Sequence, residues 1–156
     1  MKKTALLLFM VSLVFTVACA TREIAPPAAN GTCGFRGIAW DTPLDQLISE
    51  LESVDTDAQR GLEWYTRKDD TLTLGKATVD SINYIFYQKL FSKVSVVVRG
   101  TENYEALKDY LFATYGGNAS KSGEHAYTWS LDNTVIMFAY TPSTKVSLLI
   151  IQKNQR

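Results

Sequence analysis

His125 is the single histidine of the chain, and that count settles much of the chemistry on offer. No two-histidine metal set can be assembled, and a Ser/His/Asp triad would have to use His125 as its base. The residue lies in a polar stretch ahead of a strand-like run, where a solvated or capping role accounts for it. Asp41, Asp45, Glu50 and Glu52 could be read as an acidic cluster for a metal, but they suit the start and the solvated face of a helix. Lys68-Asp69-Asp70 mixes both charges in an expected turn. The glycines stand at the ends of elements, so neither a P-loop nor a dinucleotide fingerprint is present. Cys33 has no neighbouring histidine to activate it and reads as a small packed residue. The expectation is therefore no enzyme, with no catalytic residue, cofactor or metal. The alternative is a periplasmic enzyme with a dispersed acidic site.

Cys19 is a different matter, because its chemistry follows from where it stands. Met1-Lys2-Lys3 is a basic start, and Ala5 to Ala18 is an apolar run too short to span a bilayer stably. This reads as an export signal over residues 1–18. Ala18-Cys19-Ala20 fits the small-x-small rule for cleavage after Ala20, while Thr16-Val17-Ala18-Cys19 is similar to a bacterial lipobox with Thr16 where Leu is usual. Lipidation is the favoured reading. The resemblance to bacterial lipoproteins implies an acylated, palmitate-bearing Cys19 as first mature residue, and Ala20 after it resembles the outer-membrane sorting signal. Several acyl chains, at about 0.8 kcal/mol per buried methylene, anchor a protein for practical purposes permanently. The expected location is the outer membrane, facing the periplasm, with a soluble periplasmic or secreted protein as the alternative. A Cys19–Cys33 disulfide is the other reading if Cys19 is retained without lipid.

The 16 basic and 16 acidic residues cancel, which leaves no field to attract nucleic acid. At 156 residues and 46% hydrophobic content the chain can bury one core. Residues 19–32, with Pro26-Pro27 and Asn30-Gly31, read as a flexible tether, and residues 33–156 as a single α+β domain.

In that domain, Thr42-Pro43 reads as a helix start, with Leu44, Leu47, Ile48 and Leu51 as one apolar stripe. Strands follow through Trp64 to Arg67 and through Leu72 and Leu74. Residues 77–99 form a central β-hairpin: a three-residue loop, Gln88-Lys89-Leu90, puts Ile82, Tyr84 and Phe86 on one face with Val94, Val96 and Val98. A two-residue loop would separate the two sets. A second helix is expected from Asn103 to Tyr115, closed by Gly116-Gly117. Tyr127, Trp129 and Leu131 then align with Ile136 and Phe138 around a two-residue, positive-φ turn at Asp132-Asn133, and Val146 to Ile151 is the last strand. The order predicts two αβββ-like units forming an antiparallel sheet of about six strands, with two helices packed on one face.

GFRGIAWDTPL, YTRKDDTLTLGKATVDSINYIFY and the Asn103 to Gly116 segment resemble an uncharacterised family of small exported bacterial proteins, many with lipoprotein signals. That resemblance implies the address and a fold of this kind, and brings no catalytic residues. Relatives tend to have glycine where this chain has Asp41, Asp69, Lys76 and Lys89. The repeated helix-plus-hairpin plan is similar in architecture to small periplasmic modules of the assembly-lipoprotein and β-lactamase-inhibitor types.

Function is therefore expected from a surface. With the three-residue loop, the face away from the helices carries Ile85, Tyr87, Phe91 and Val97, joined by Leu149 and Ile151 if Val146, Leu148 and Ile150 point inward. Those six residues are the expected interaction surface, for a protein partner, a second copy or an apolar ligand, in a binding or assembly module held at the membrane.

Overall fold

A computed structural model describes residues 34–154. The described chain begins with a tight hairpin, β1 (Gly34–Phe35) and β2 (Ile38–Ala39), and passes through two 3-10 turns at Leu44–Gln46 and Ile48–Glu50. It then runs as β3 (Leu51–Asp57), β4 (Leu62–Arg67), the short pair β5 (Thr73–Leu74) and β6 (Ala77–Thr78), β7 (Ser81–Tyr87) and β8 (Leu90–Arg99). Helix α1 (Thr101–Tyr115) follows, then β9 (Ser120–Gly123), β10 (Ala126–Ser130), β11 (Thr134–Thr141) and β12 (Val146–Lys153).

Eight of these strands make one antiparallel sheet in the order β3-β4-β7-β8-β12-β11-β10-β9. Each half is a four-stranded meander, and the last strands of the two halves, β8 and β12, meet at the centre. The expected six-stranded sheet with two helices is corrected to an eight-stranded sheet with a single α-helix among the described residues. The missing helix is the Leu44–Leu51 stripe. Leu44 and Leu51 are buried as expected, but Leu44 N–H bonds Lys89 O at 2.8 Å and Leu51 already pairs with Arg67. Between those ties the backbone closes only i→i−3 turns, Leu47 N–H to Leu44 O and Glu50 N–H to Leu47 O. The added strands are β3 and β9, both sheet edges, whose residues are almost all exposed.

The central hairpin reaches the expected face alignment by a different route. Tyr87 pairs with Leu90 around a two-residue loop, and Gln88 and Lys89 both take positive φ, 48° and 67°. A two-residue loop alone would set the valines on the wrong face. A bulge at Ser92 restores them: Phe86 pairs with Phe91, then Ile85 with Lys93 and Tyr84 with Val94. Asp41 (φ 66°) and Lys89 occupy the left-handed region, whereas Asp69 and Lys76 do not. The second hairpin has the expected register, Tyr127 with Phe138 and Trp129 with Ile136, but Asp132 and Asn133 do not take positive φ.

All covering segments lie on one face of the sheet. α1 seats Tyr104, Leu107 and Leu111 there, side chains whose burial stabilises by roughly 1.5–3 kcal/mol each. Trp129 locks the helix end by donating its Nε1–H to Gly116 O at 2.9 Å. Gly75 brings β5–β6 against the helix: at φ 58°, a Cβ there would sit 2.6 Å from the Tyr110 ring, so only glycine fits. Over the other half of the sheet the cover is residues 34–50, with Trp40 stacked on Phe91 at 5.0 Å and donating to Thr134 Oγ1 at 2.9 Å.

Candidate functional site

Where the Leu44–Leu51 helix was expected, the sheet is left with an apolar groove of about 450 Å³ at the tip of the central hairpin. Pro43, Leu44, Ile48, Tyr65 and Leu90 line it, with Asp45 and Lys89 at its polar margins. Ile48 is 50% exposed and Leu90 40%, high values for side chains of this kind. The walls are held together by backbone hydrogen bonds. Asp41 N–H bonds Phe91 O, Phe91 N–H bonds Thr42 O and Leu44 N–H bonds Lys89 O, all within 2.8–3.0 Å, while Gln88 N–H bonds Gly61 O at 2.8 Å. The lining is mostly apolar and the groove is shallow, opening broadly to solvent.

Beside the groove, Glu63 is a buried carboxylate on the inner face of β4. Its Oε2 accepts the Lys89 ammonium at 2.8 Å and the Tyr65 hydroxyl at 3.0 Å. The Lys89 hydrogen bond holds the Glu63 carboxyl below its usual range against the opposing effect of burial, and Tyr65 adds to the lowering. Burial, then the bond to Glu63, raises the Tyr65 phenol. Such a carboxylate is fully charged at neutral pH and already satisfied, so it fixes the groove wall and is a poor proton acceptor.

A second, polar depression of about 300 Å³ is lined by Glu50, Arg67, Asp69 and Asp70. Arg67 holds Glu50 at 2.7 Å. Asp70 is held by Arg36 through Oδ1 and accepts the Tyr84 hydroxyl through Oδ2 at 2.7 Å, while Arg36 also donates to Thr71 O and Thr73 O. Burial foremost, then the bond to Asp70, pushes the Tyr84 phenol well above its usual range. This network pins β1–β2 onto the 70–73 loop; its charges serve one another.

The six expected surface residues are divided by the structure. Phe91 is fully buried, because the two-residue loop pairs it with Phe86 on the inner face. Leu149 and Ile151 are also core, at 0% and 3% exposure, since β12 runs in the opposite phase to the one expected: Leu149 pairs with Val96 and Leu148 with Val97. Ile85, Tyr87 and Val97 do point outward. Ile85 is nevertheless buried, flanked in register by Trp64 and Lys93. The outer face gains Leu148, Ile150 and Met137 instead.

Cys19, the expected lipidation site, and Cys33 lie outside the described residues. His125 is partly buried against Tyr104 and Tyr140, with Nδ1 3.4 Å from the Tyr104 hydroxyl, so it packs at the helix edge away from both depressions. Among the described residues no group of three His, Cys, Asp or Glu is placed to hold a metal. No described helix is long and apolar enough to cross a membrane. Sequence reading missed Glu63, a carboxylate between Leu62 and Trp64 in a strand, whose alternation with outward Trp64 was the available signal. No family model, curated protein or solved structure matches the chain.

Proposed function

We propose that this chain is an exported envelope protein, anchored through an acylated Cys19, that acts as a binding module and takes an apolar group of a partner into the hairpin-tip groove. The observation that carries the reading is the groove itself: a shallow apolar depression, its backbone tied to the hairpin tip, with Ile48 and Leu90 half-exposed and its neighbouring carboxylate already paired. The basic start and apolar run before Cys19 support export, and residues 19–32 would let the domain stand away from the membrane. The rival reading, an enzyme with a dispersed acidic site, would have to use the Glu50/Arg67/Asp69/Asp70 depression. There Glu50 and Asp70 are each neutralised by a guanidinium, which disfavours a carboxylate poised for proton transfer.

Photocrosslinking in intact cells from a reactive side chain at position 48 tests the groove. A discrete conjugate that disappears with Leu90→Asp is the expected result; no conjugate, or one indifferent to Leu90, overturns it. Mass spectrometry of the mature N-terminus tests the anchor, since a chain beginning at Thr21 would refute lipidation.

A further inference from the structure

The outer face of the sheet has no described cover. The core cluster is built from inner-face residues and the segments packed on them, and Trp64, Val97, Met137, Leu148 and Ile150 stand outside it. Leu148 is 43% exposed at the middle of the sheet. We infer that this face is the interface between two copies of the chain, related by a two-fold axis that runs along the strands between β8 and β12. The inference rests on none of the residues that line the hairpin-tip groove.

Three observations select a second copy as the occupant. The first is area. Strands β4, β7, β8, β12 and β11, at about 4.8 Å spacing, make a surface about 24 Å wide, and four successive outward positions extend about 20 Å along it. The footprint is roughly 500 Å² per copy, so two copies bury roughly 1,000 Å², the lower bound for a specific interface. Within that footprint Trp64, Ile85, Val97, Met137, Leu148 and Ile150 are the apolar positions, interrupted by Asn83 and Ser95.

The second is self-complementarity in the observed register. Across the β8–β12 seam, Val97 stands opposite Leu148, Ser95 opposite Ile150 and Lys93 opposite Gln152. A two-fold axis along that seam lays Val97 on Leu148 of the second copy, and Lys93 on its Gln152. On these five strands the outward charged positions are Lys93 and Arg99, and Arg99 is already held by Asp80 at 2.8 Å. The axis sets each Lys93 over the second copy's Gln152, about 4.8 Å to the side of the other Lys93, at the end of the paired register where the two ammonium groups reach solvent. Two twisted sheets packed about 10 Å apart cross at about 30°, which preserves this register nearest the axis, where Val97, Leu148 and Ile150 lie.

The third is the sheet's edges. β3 presents Glu52, Asp55 and Asp57 in a strand broken by a bulge between Ser53 and Asp55, and β9 is four residues long. Charged, bulged or short edges oppose lateral strand pairing. Association is thereby directed to the faces, and a two-fold face contact closes on itself.

Sedimentation of the full mature chain in a density-matched detergent tests the inference, because an interface at the lower size limit should dissociate on dilution. The expected result is twice the chain mass at tens of micromolar, with Leu148→Asp weakening dimerisation at least tenfold while circular dichroism stays native. Ala139→Asp, also on this face and exposed, gives the same result by a second route. Ile48→Asp, in the groove, leaves the dimer intact, so failure of the groove reading and failure of this one are separable. A wild-type chain that is monomeric at every concentration, or a dimer indifferent to both outer-face substitutions, overturns the inference.

Discussion

Replacing Phe91 by alanine should be among the most damaging changes in the molecule, while the same replacement four residues earlier, at Tyr87, should be nearly silent. Phe91 is fully buried, and its ring lies 5.0 Å from Trp40, 5.6 Å from Phe86 and 5.9 Å from Tyr84. Deleting a core phenylalanine costs about 3–5 kcal/mol through lost transfer free energy and the cavity left behind. Trp40 and Phe35 belong to a covering segment that cannot easily collapse into the gap, because its backbone is tied to the hairpin tip, so the upper part of that range, about 4 kcal/mol, applies. Tyr87 is 45% exposed, and truncating it should cost under about 1 kcal/mol. In urea, with a slope of about 2 kcal/mol per molar, Phe91→Ala should lower the midpoint by about 2 M at unchanged slope and Tyr87→Ala by less than about 0.5 M. The pair tests the register directly. A three-residue loop would set Phe91 opposite Tyr87 with both rings outside, and the two substitutions would then cost the same; that result would refute the two-residue turn and the Ser92 bulge.

Three further outcomes follow from single groups. Asp70→Ala leaves the Arg36 guanidinium with only carbonyl acceptors, Thr71 O and Thr73 O, and no counter-charge, takes the acceptor from the buried Tyr84 hydroxyl, and should cost about 3 kcal/mol in chemical denaturation. Glu63, whose folded carboxyl is held below its usual value near 4.5, contributes stability that is fully present above the unfolded range and is lost as pH falls through the lowered folded value. Stability measured from pH 7 to pH 3 should therefore show a gap between the wild type and Glu63→Gln that is constant above about pH 6 and narrows below it; a gap that widens on acidification would reverse the assigned sign. Ser147 Oγ is buried without a hydrogen-bond partner among the described residues, so Ser147→Ala should raise the melting temperature, with a gain of about 1 kcal/mol, and a loss of that size would show the hydroxyl to be satisfied.

What could be read before any fold was known is what has a local or periodic signal. Alternation fixed which faces of β7, β10 and β11 are buried, because side chains in a strand have a period of two and a half-buried sheet selects one phase. The Asn103 to Tyr115 stripe and Gly116 located α1, since helical spacing and a left-handed cap are both properties of a short stretch of chain. The basic start, the apolar run and the position of Cys19 are likewise legible without a fold.

Tertiary structure decided the rest. Leu44, Leu47, Ile48 and Leu51 have helical spacing, yet the hairpin tip and β4 compete for the same backbone groups, and those partners lie far along the chain. β3 and β9 carry no alternation because edge strands meet solvent, so their polar residues looked like a helix end and a loop. In β12, Val146 to Ile151 is apolar at every position but Ser147, and either phase satisfied the pattern. Pairing with β8 chose the phase that buries Leu149 and Ile151. One bulge at Ser92 moved Phe91 from the outer face to the core, and the hairpin-tip groove exists only because a helix did not form over it. A continuous apolar run and a one-residue bulge are invisible to a period-two argument, since only contact with neighbouring strands breaks the tie.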